Sequence, residues 1–263
     1  MDDVFSVPVT IRGYECTQGA VVGLPQILSL CEHCRWEWIL EPRFGLVEPL
    51  HEGHFFVVHR ATLGVVRTFG IGTKLVVRAI LREVGRVNCI VEQDLLREDG
   101  VLLARAFINA IWIAPSGRMA RVPNHVREAT TDAPLPSRTD VPADAGRPGS
   151  FLSPPEQRFE PTLDDTVFRD VPGDAVTSLV RVRPSDCDVH DHVNNANYLR
   201  LFEDALGAPA REATIDYRGQ AVAHDELTMW QWPVSNDCVA FVLARSADPN
   251  AVMARAVLTP RAT

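Results

Sequence analysis

The sequence repeats one order of predicted elements, and this repeat limits the possible folds more than any other feature. The first half has a strand pattern at residues 7–14, a helix pattern at Leu24–Leu40 and then four strands. The second half has a strand pattern at 176–183, a helix pattern at 193–206 and again four strands. Alternation of apolar and polar residues between turn signals marks the strands, and helical spacing marks the helices. The later strands are predicted at 55–68, 74–84, 87–97 and 101–113, and at 213–218, 226–232, 238–244 and 251–258. An antiparallel sheet wrapped around one mostly buried helix satisfies this order in each half.

A segment rich in proline and polar residues separates the two halves. Residues 130–165 have the composition of a linker with extended stretches. The predicted domains are therefore residues 1–129 and 166–263, each of ordinary domain size.

Charge and hydropathy exclude several classes of function. The net charge is −8 and the pI is near 5.5, whereas a general nucleic-acid binder has a basic face. An acidic protein is also poorly suited to an anionic membrane surface. No apolar stretch approaches the roughly 20 residues that span a bilayer, and the start MDDVFSVPV lacks the features of a secretory signal. We therefore expect a cytoplasmic protein that binds neither nucleic acid nor membrane.

The six cysteines predict no disulfide framework in a chain of this length. Cys31 and Cys34 form a CxxC, but no second ligand pair or redox setting accompanies it. Both residues lie within the predicted helix Leu24–Leu40, three positions apart on one face. We expect them to be small core residues.

The run from Asp186 to Tyr198 carries the predicted chemistry. Asp188, His190 and His192 alternate along the chain, so a locally extended backbone places their side chains on one side. The run also feeds a helix N-terminus, where free amides can hold a developing negative charge. This arrangement is typical of an active site.

Structural roles explain part of the same run. Aspartate, here Asp186, often accepts hydrogen bonds from the backbone of a turn. Asparagine is a good N-cap of a helix, and Asn194 or Asn195 can have this role. Asp191 is expected to be solvated. A metal site made from the aspartate and the two histidines is disfavoured because no outside ligand is evident, and no cofactor is expected.

The segment RPSDCDVHDHVNNANY at 183–198 resembles the signature R-x-x-D-x-D-x-N-x-H-V-N-N-x-x-Y of the acyl-ACP thioesterases. Weaker resemblances at 11–15, 99–106, 117–123 and 215–218 fall in the family's order. The resemblance implies an α+β fold of two tandem hotdog domains, each an antiparallel sheet wrapped around a central helix, which together form an intrachain pseudo-dimer. The active residues would then belong to the second domain, and the first would be a degenerate partner.

The resemblance implies hydrolysis of an acyl thioester to a free carboxylic acid. Asp188 would be nucleophile or general base, and His192 would orient the carbonyl or move a proton. The oxyanion would be held by helix-start amides at Val193, Asn194 and Asn195.

Two positions depart from the family pattern. His190 stands where the family commonly has asparagine, and Gln220 occupies the place of a glutamate. Glutamine cannot act as a general base, although it can position water. Acid/base work has therefore moved to His190, or the substrate or reaction has changed.

Other functions stay open at this point. They are a dehydratase or cyclase acting on a carrier-bound acyl or polyketide thioester, and a binder without turnover. The implied substrate is acyl-ACP or acyl-CoA, and the implied pathway is fatty acid or polyketide biosynthesis. The expected oligomeric state is a monomer, in which the two halves of one chain form the pseudo-dimer, or a homodimer. Docking of an acidic carrier protein requires a local basic patch, for which the candidates are Arg78, Arg82, Arg86 and Arg97.

Overall fold

The computed structural model describes residues 4–17, 19–128 and 165–261. The chain divides into two compact units, Met1–His59 with Leu63–Phe159, and Arg60–Thr62 with Glu160–Thr263. The linker predicted at 130–165 lies outside the described residues except for Asp165, so the predicted domain boundaries stay a prediction. None of the helices in the described ranges is long and apolar enough to cross a membrane.

The first unit is an antiparallel sheet packed on one long helix. Its elements are β1 (Phe5–Thr10), α1 (Leu24–Leu40), α2 (Val47–His51), β2 (Phe55–Val65), β3 (Lys74–Val84), β4 (Asn88–Arg97), β5 (Leu102–Ile113) and α3 (Asn124–Glu128), of which only Arg60–Thr62 in β2 belongs to the second unit. The strands follow the order β1-β3-β4-β5-β2.

Helix α1 is buried against its sheet. The Cys34 thiol lies 3.5 Å from the Val77 carbonyl of β3, and the Gln93 amide of β4 donates to the Cys31 carbonyl at 2.9 Å. Both thiols are inaccessible to solvent, and burial raises the pKa of each to about 12. These two cysteines are therefore protonated core residues, as predicted.

The second unit repeats this plan. Its elements are β6 (Val176–Arg181), α4 (Asn195–Leu206), β7 (Ala210–Tyr217), β8 (Glu226–Ser235), β9 (Cys238–Arg245) and β10 (Asp248–Pro260). The strands follow the order β7-β10-β9-β8-β6. The ring of Phe202 in α4 lies 5.3 Å from that of Phe241 in β9, so Phe241 marks the face of the sheet that the helix covers.

The structure confirms the predicted order of strand, helix and four strands in each half, and with it the α+β class. Helix α1 has the predicted bounds, whereas β1 and β6 end early. Each of these strands gives way to a short 3-10 turn, at Gly13–Glu15 and Pro184–Asp186. The short helices α2 and α3 were not predicted.

Candidate active site

A tight hairpin presents the predicted catalytic residues. The Asp188 N–H donates to the His192 carbonyl at 2.8 Å, and the Asp191 N–H donates to the Asp188 carbonyl at 3.1 Å. The three-residue loop Val189-His190-Asp191 ends with Asp191 in the left-handed conformation at φ 61°. This is the usual three-residue hairpin loop, a type I turn followed by one left-handed residue. Aspartate tolerates that conformation better than most residues, so Asp191 serves the turn.

Asp188 and His192 face each other at the base of this hairpin. Opposed residues of a hairpin send their side chains to the same face, and both residues are half-buried. The Asp188 Oδ1 accepts the His190 N–H at 2.8 Å. Within the part of the chain that is described, neither Asp188 Oδ2 nor the His192 ring makes a hydrogen bond. The turn therefore orients the Asp188 carboxylate with one oxygen and leaves the other for chemistry.

A second segment runs beside the hairpin and brings Gln220 to it. His192 pairs with Val222 in an antiparallel bridge, and the Val193 N–H donates to the Ala221 carbonyl at 2.9 Å. This register places Gln220 opposite Asn194. The structure thus brings the predicted residues 188, 192, 194 and 220 to one end of α4, while His190 is exposed at the loop tip.

The predicted oxyanion amides are not equivalent. The Val193 N–H is bound to Ala221, and the Asn194 N–H donates to the Asp186 carbonyl at 2.9 Å. Both N–H groups thus have partners within the fold, and the oxyanion role of these two residues stays a prediction. Among the hydrogen bonds of the described chain, none uses the Asn195 N–H, which opens the helix. Asn195 is therefore the candidate donor.

Asn194 is the N-cap of α4. Its Oδ1 accepts the Ala196 N–H at 2.8 Å, which satisfies one of the amides that a helix start leaves without a partner. The capping role expected for one of the two asparagines is confirmed here.

Asp186 joins the 3-10 turn to α4. It is 3% exposed, and its carboxylate accepts the Arg183 N–H at 2.9 Å and the Arg200 guanidinium at 2.5 Å. Its carbonyl accepts the Asn197 side-chain amide at 2.9 Å as well as the Asn194 N–H. The structural role predicted for Asp186 is thus confirmed.

Two tyrosines hold the site together, and their hydrogen-bond partners could not be predicted from the sequence. The Ala221 N–H donates to the Tyr198 hydroxyl at 3.0 Å, and the Tyr217 hydroxyl donates to the Asn195 carbonyl at 3.1 Å. Burial raises the pKa of Tyr198 to about 12, so its phenol stays neutral. Arg245 adds a third tie by donating to the Gln220 carbonyl at 3.1 Å.

The first unit repeats the backbone hydrogen bonds that frame this loop, without the chemistry. There the Thr17 N–H donates to the Val21 carbonyl at 2.8 Å, the Val22 N–H donates to Phe69 at 2.9 Å, and Ala20 is left-handed at φ 57°. None of the site's polar residues occurs at the corresponding positions of this loop. Thr17 corresponds to Asp188, Gly19 to His190, Val21 to His192, Gly23 to Asn194 and Leu24 to Asn195. This repeat of the loop was not predicted. A sequence signal for it exists, because the pattern Arg-x-x-acid-Cys occurs at both 12–16 and 183–187.

A family model matches the part of the chain that contains the hairpin. Residues 172–237, which span the hairpin and the Gln220 segment, match the family model of the acyl-ACP thioesterase C-terminal domain. No curated protein matches the chain.

Solved structures cover almost the whole chain. An acyl-ACP thioesterase from Bacteroides thetaiotaomicron is 13% identical, with a TM-score of 0.75 over 99% of this chain and 98% of its own. A 12:0-ACP thioesterase from Umbellularia californica is 18% identical, with a TM-score of 0.70 over the same shares of the two chains. At these identities the likeness shows the fold, and it confirms the tandem double hotdog.

The predicted resemblance is confirmed: residues 172–237 match the acyl-ACP thioesterase C-terminal domain, and the chain has the double-hotdog fold of these solved structures.

Proposed function

We propose that the protein hydrolyses acyl-ACP thioesters with Asp188, His192 and the Asn195 N–H at the reacting centre. One observation carries the proposal. The Asp188 Oδ2 and the His192 ring lie without hydrogen-bond partners, within the described chain, on one face of a hairpin that leads into α4. The first amide of that helix is also unused, so an acid, a proton carrier and an oxyanion donor meet at one place.

The reaction follows from these groups. The thioester carbonyl oxygen accepts the Asn195 N–H, and the positive end of the helix dipole stabilises the charge that grows on this oxygen. Asp188 Oδ2 takes a proton from the attacking water, or attacks the carbonyl itself to form an anhydride that water then opens. In either route the C–S bond breaks, the sulfur gains a proton and the acid is released. His192 orients the carbonyl or carries that proton.

The two departures from the family pattern have distinct parts in this proposal. The backbone N–H of His190 orients Asp188 whatever side chain residue 190 carries. We assign acid/base work to the His190 imidazole at the loop tip. Gln220 lies opposite Asn194 in the register, where its amide can position the water. Fatty acid or polyketide biosynthesis, a cytoplasmic location and a monomeric or homodimeric state belong to the same proposal.

Release of free thiol from acyl-ACP of several chain lengths tests the function. Asp188→Asn keeps an oxygen that can accept the His190 N–H but loses the carboxylate. We expect kcat to fall by roughly 10²–10⁴, the usual contribution of a positioned acid or base, with an unchanged melting temperature. Asp191→Asn, at the exposed end of the same loop, is the matched control. Full activity of Asp188→Asn would show that the site is wrong.

The same assay separates the alternatives. A dehydratase or cyclase would change the acyl group without releasing thiol, and a binder would leave the thioester intact. If acid/base work has moved to His190, then His190→Asn loses activity and the added change Gln220→Glu restores part of it. A double variant no better than His190→Asn would refute that transfer.

A further inference from the structure

Backbone contacts fix the chain on both sides of Gln220. The Gly219 N–H donates to the Met253 carbonyl at 3.0 Å. A Cβ at Gly219 would lie 2.9 Å from the Met253 methyl carbon and 3.0 Å from the Val252 carbonyl oxygen, so the backbone lies too close to β10 for a larger residue. On the other side of Gln220, both backbone groups of Ala221 are bonded as described above.

The Gln220 side chain has no such support of its own. It is exposed, and its amide makes no hydrogen bond within the part of the chain that the structure describes. A side chain without contacts takes its position from its own backbone. The contacts of the Gln220 carbonyl therefore decide where the amide lies relative to Asn194.

Arg245 is the charged contact of this carbonyl. It is the last residue of β9, a strand that is paired on both sides, with β8 and with β10. Its Nη2 donates to the Gln220 carbonyl at 3.1 Å, and its Nη1 donates to Asp225 at 2.7 Å. Because a guanidinium is a rigid planar fork, it holds these two acceptors in one relative geometry and ties Gln220 to the sheet.

Asp225 holds the guanidinium and the end of the Gln220 segment together. Its Oδ1 accepts Arg245, and its Oδ2 accepts the Val222 N–H at 2.9 Å. The Asp225 N–H donates to the Val222 carbonyl at 3.1 Å and closes a turn in which His224 is left-handed at φ 73°. One carboxylate thus fixes both the arginine and the turn that follows Gln220.

Other arginines pair with carboxylates away from this segment. Burial disfavours the ionised carboxyl of Asp216 in β7, but the hydrogen bonds from Arg60 and Arg255 outweigh burial and lower the pKa of Asp216. Three of the four arginines predicted to form a basic patch also face carboxylates: Arg78 pairs with Asp94 at 2.6 Å, Arg82 with Glu92 at 2.6 Å and Arg97 with Asp99 at 2.5 Å. These pairs join side chains, whereas the pair of Asp225 and Arg245 also bonds the backbone of the candidate site.

We infer that Arg245 is a positioning residue of the proposed reaction: it holds the Gln220 carbonyl, and through it the Gln220 amide, while Asp225 holds the guanidinium. The inference rests on the proposed function, in which Gln220 positions the water, and it adds a residue that lies outside the signature at 183–198. A misplaced water slows the chemical step without weakening the binding of substrate. Loss of Arg245 should therefore lower kcat and leave KM nearly unchanged.

Thiol release from acyl-ACP measures this effect. We expect Arg245→Gln to lower kcat by about tenfold, the effect of losing one charge-assisted hydrogen bond, and Arg245→Lys, which keeps a charged donor, to recover part of the loss. The Arg245 side chain is 37% exposed, so its ion pair adds little to stability and the variants should melt within a few degrees of the wild type. The matched control is Arg211→Gln, which removes an exposed arginine of β7 that pairs with Glu212 and should keep full activity.

A double-mutant cycle separates positioning from a general structural role. If Arg245 acts through Gln220, the double variant Arg245→Gln with Gln220→Ala should have the kcat of Gln220→Ala alone, because the amide to be positioned is already absent. A double variant that is a further tenfold slower would overturn the inference. A wild-type kcat in either Arg245→Gln or Gln220→Ala would do the same.

Hydrogen exchange separates this inference from the proposed function. We expect Arg245→Gln to speed the exchange of the Ala221 and Val222 amides, whether or not a thioester is hydrolysed. If thiol release depends on Asp188 but not on Arg245 or Gln220, the inference fails and the function stands. If the wild type releases no thiol, the proposed function fails, and faster exchange still supports Arg245 as the group that positions Gln220. Unchanged exchange overturns the inference in either case.

Discussion

Substitution of Tyr198 by phenylalanine tests how the Gln220 segment is fixed to the helix. Tyr198 is 2% exposed, and its hydroxyl accepts the N–H of the fully buried Ala221 at 3.0 Å. Removing the oxygen leaves that N–H buried without a partner, which costs about 1–3 kcal/mol. For a unit of roughly 100 residues, each kcal/mol lowers the melting temperature by about 4–8 °C. The amides of 220–222 should also exchange faster with solvent.

Tyr217→Phe is the matched control for this experiment. The Tyr217 hydroxyl donates to the Asn195 carbonyl, which lies in the first turn of α4 and also accepts a helical N–H. Its loss should cost only about 0.5–1.5 kcal/mol. Calorimetry and hydrogen exchange of both variants give the comparison. A Tyr198→Phe protein as stable as the wild type, or more stable than Tyr217→Phe, would refute the reasoning.

Three further changes test the loops and the ion pairs. Asp191→Gly should raise the free energy of unfolding by about 0.5 kcal/mol. Glycine removes the cost of the left-handed conformation, ~1–2 kcal/mol, and this outweighs the ~0.5–1 kcal/mol that its greater entropy in the unfolded chain costs. A lower melting temperature would contradict this. Gly70→Ala places a Cβ 2.1 Å from the Ala20 carbonyl oxygen and should destabilise the first unit by at least about 1–3 kcal/mol, so an unchanged calorimetric transition would refute that contact. Asp216→Asn should lower stability at neutral pH. Because the folded pKa of Asp216 is lowered, the contribution is present above its unfolded pKa and is lost as the pH falls through the folded value. Urea unfolding across pH should therefore show a deficit that shrinks in acid, and a deficit independent of pH would disprove the linkage.

Local sequence signals were enough to predict the elements and their order. Helix α1 has its predicted bounds because Gly23 and Pro25 mark its start. Helix α4 begins at Asn195, two residues after the predicted start, since Asn194 has the extended conformation of a cap.

Contacts between distant segments explain what the sequence could not predict. The amides of Val193 and Asn194 look available beside a helix start, but Ala221 and Asp186 bind them. The pairing of Arg78 with Asp94 likewise depends on the register of β3 with β4. No local pattern specifies such partners, so the hydrogen bonds of these amides and the ion pair of Arg78 could be found only from the structure.

The loop shared by the two units separates what the backbone needs from what the reaction needs. Left-handed Ala20 and left-handed Asp191 close the same turn, and the same backbone hydrogen bonds hold Thr17 to Val21 and Asp188 to His192. A hairpin that tolerates two such different sets of side chains places little demand on them, so substitutions there can alter the chemistry without loss of the fold. The first unit is thus a natural scaffold with the reactive groups already removed, against which each residue of the second loop can be tested by exchange.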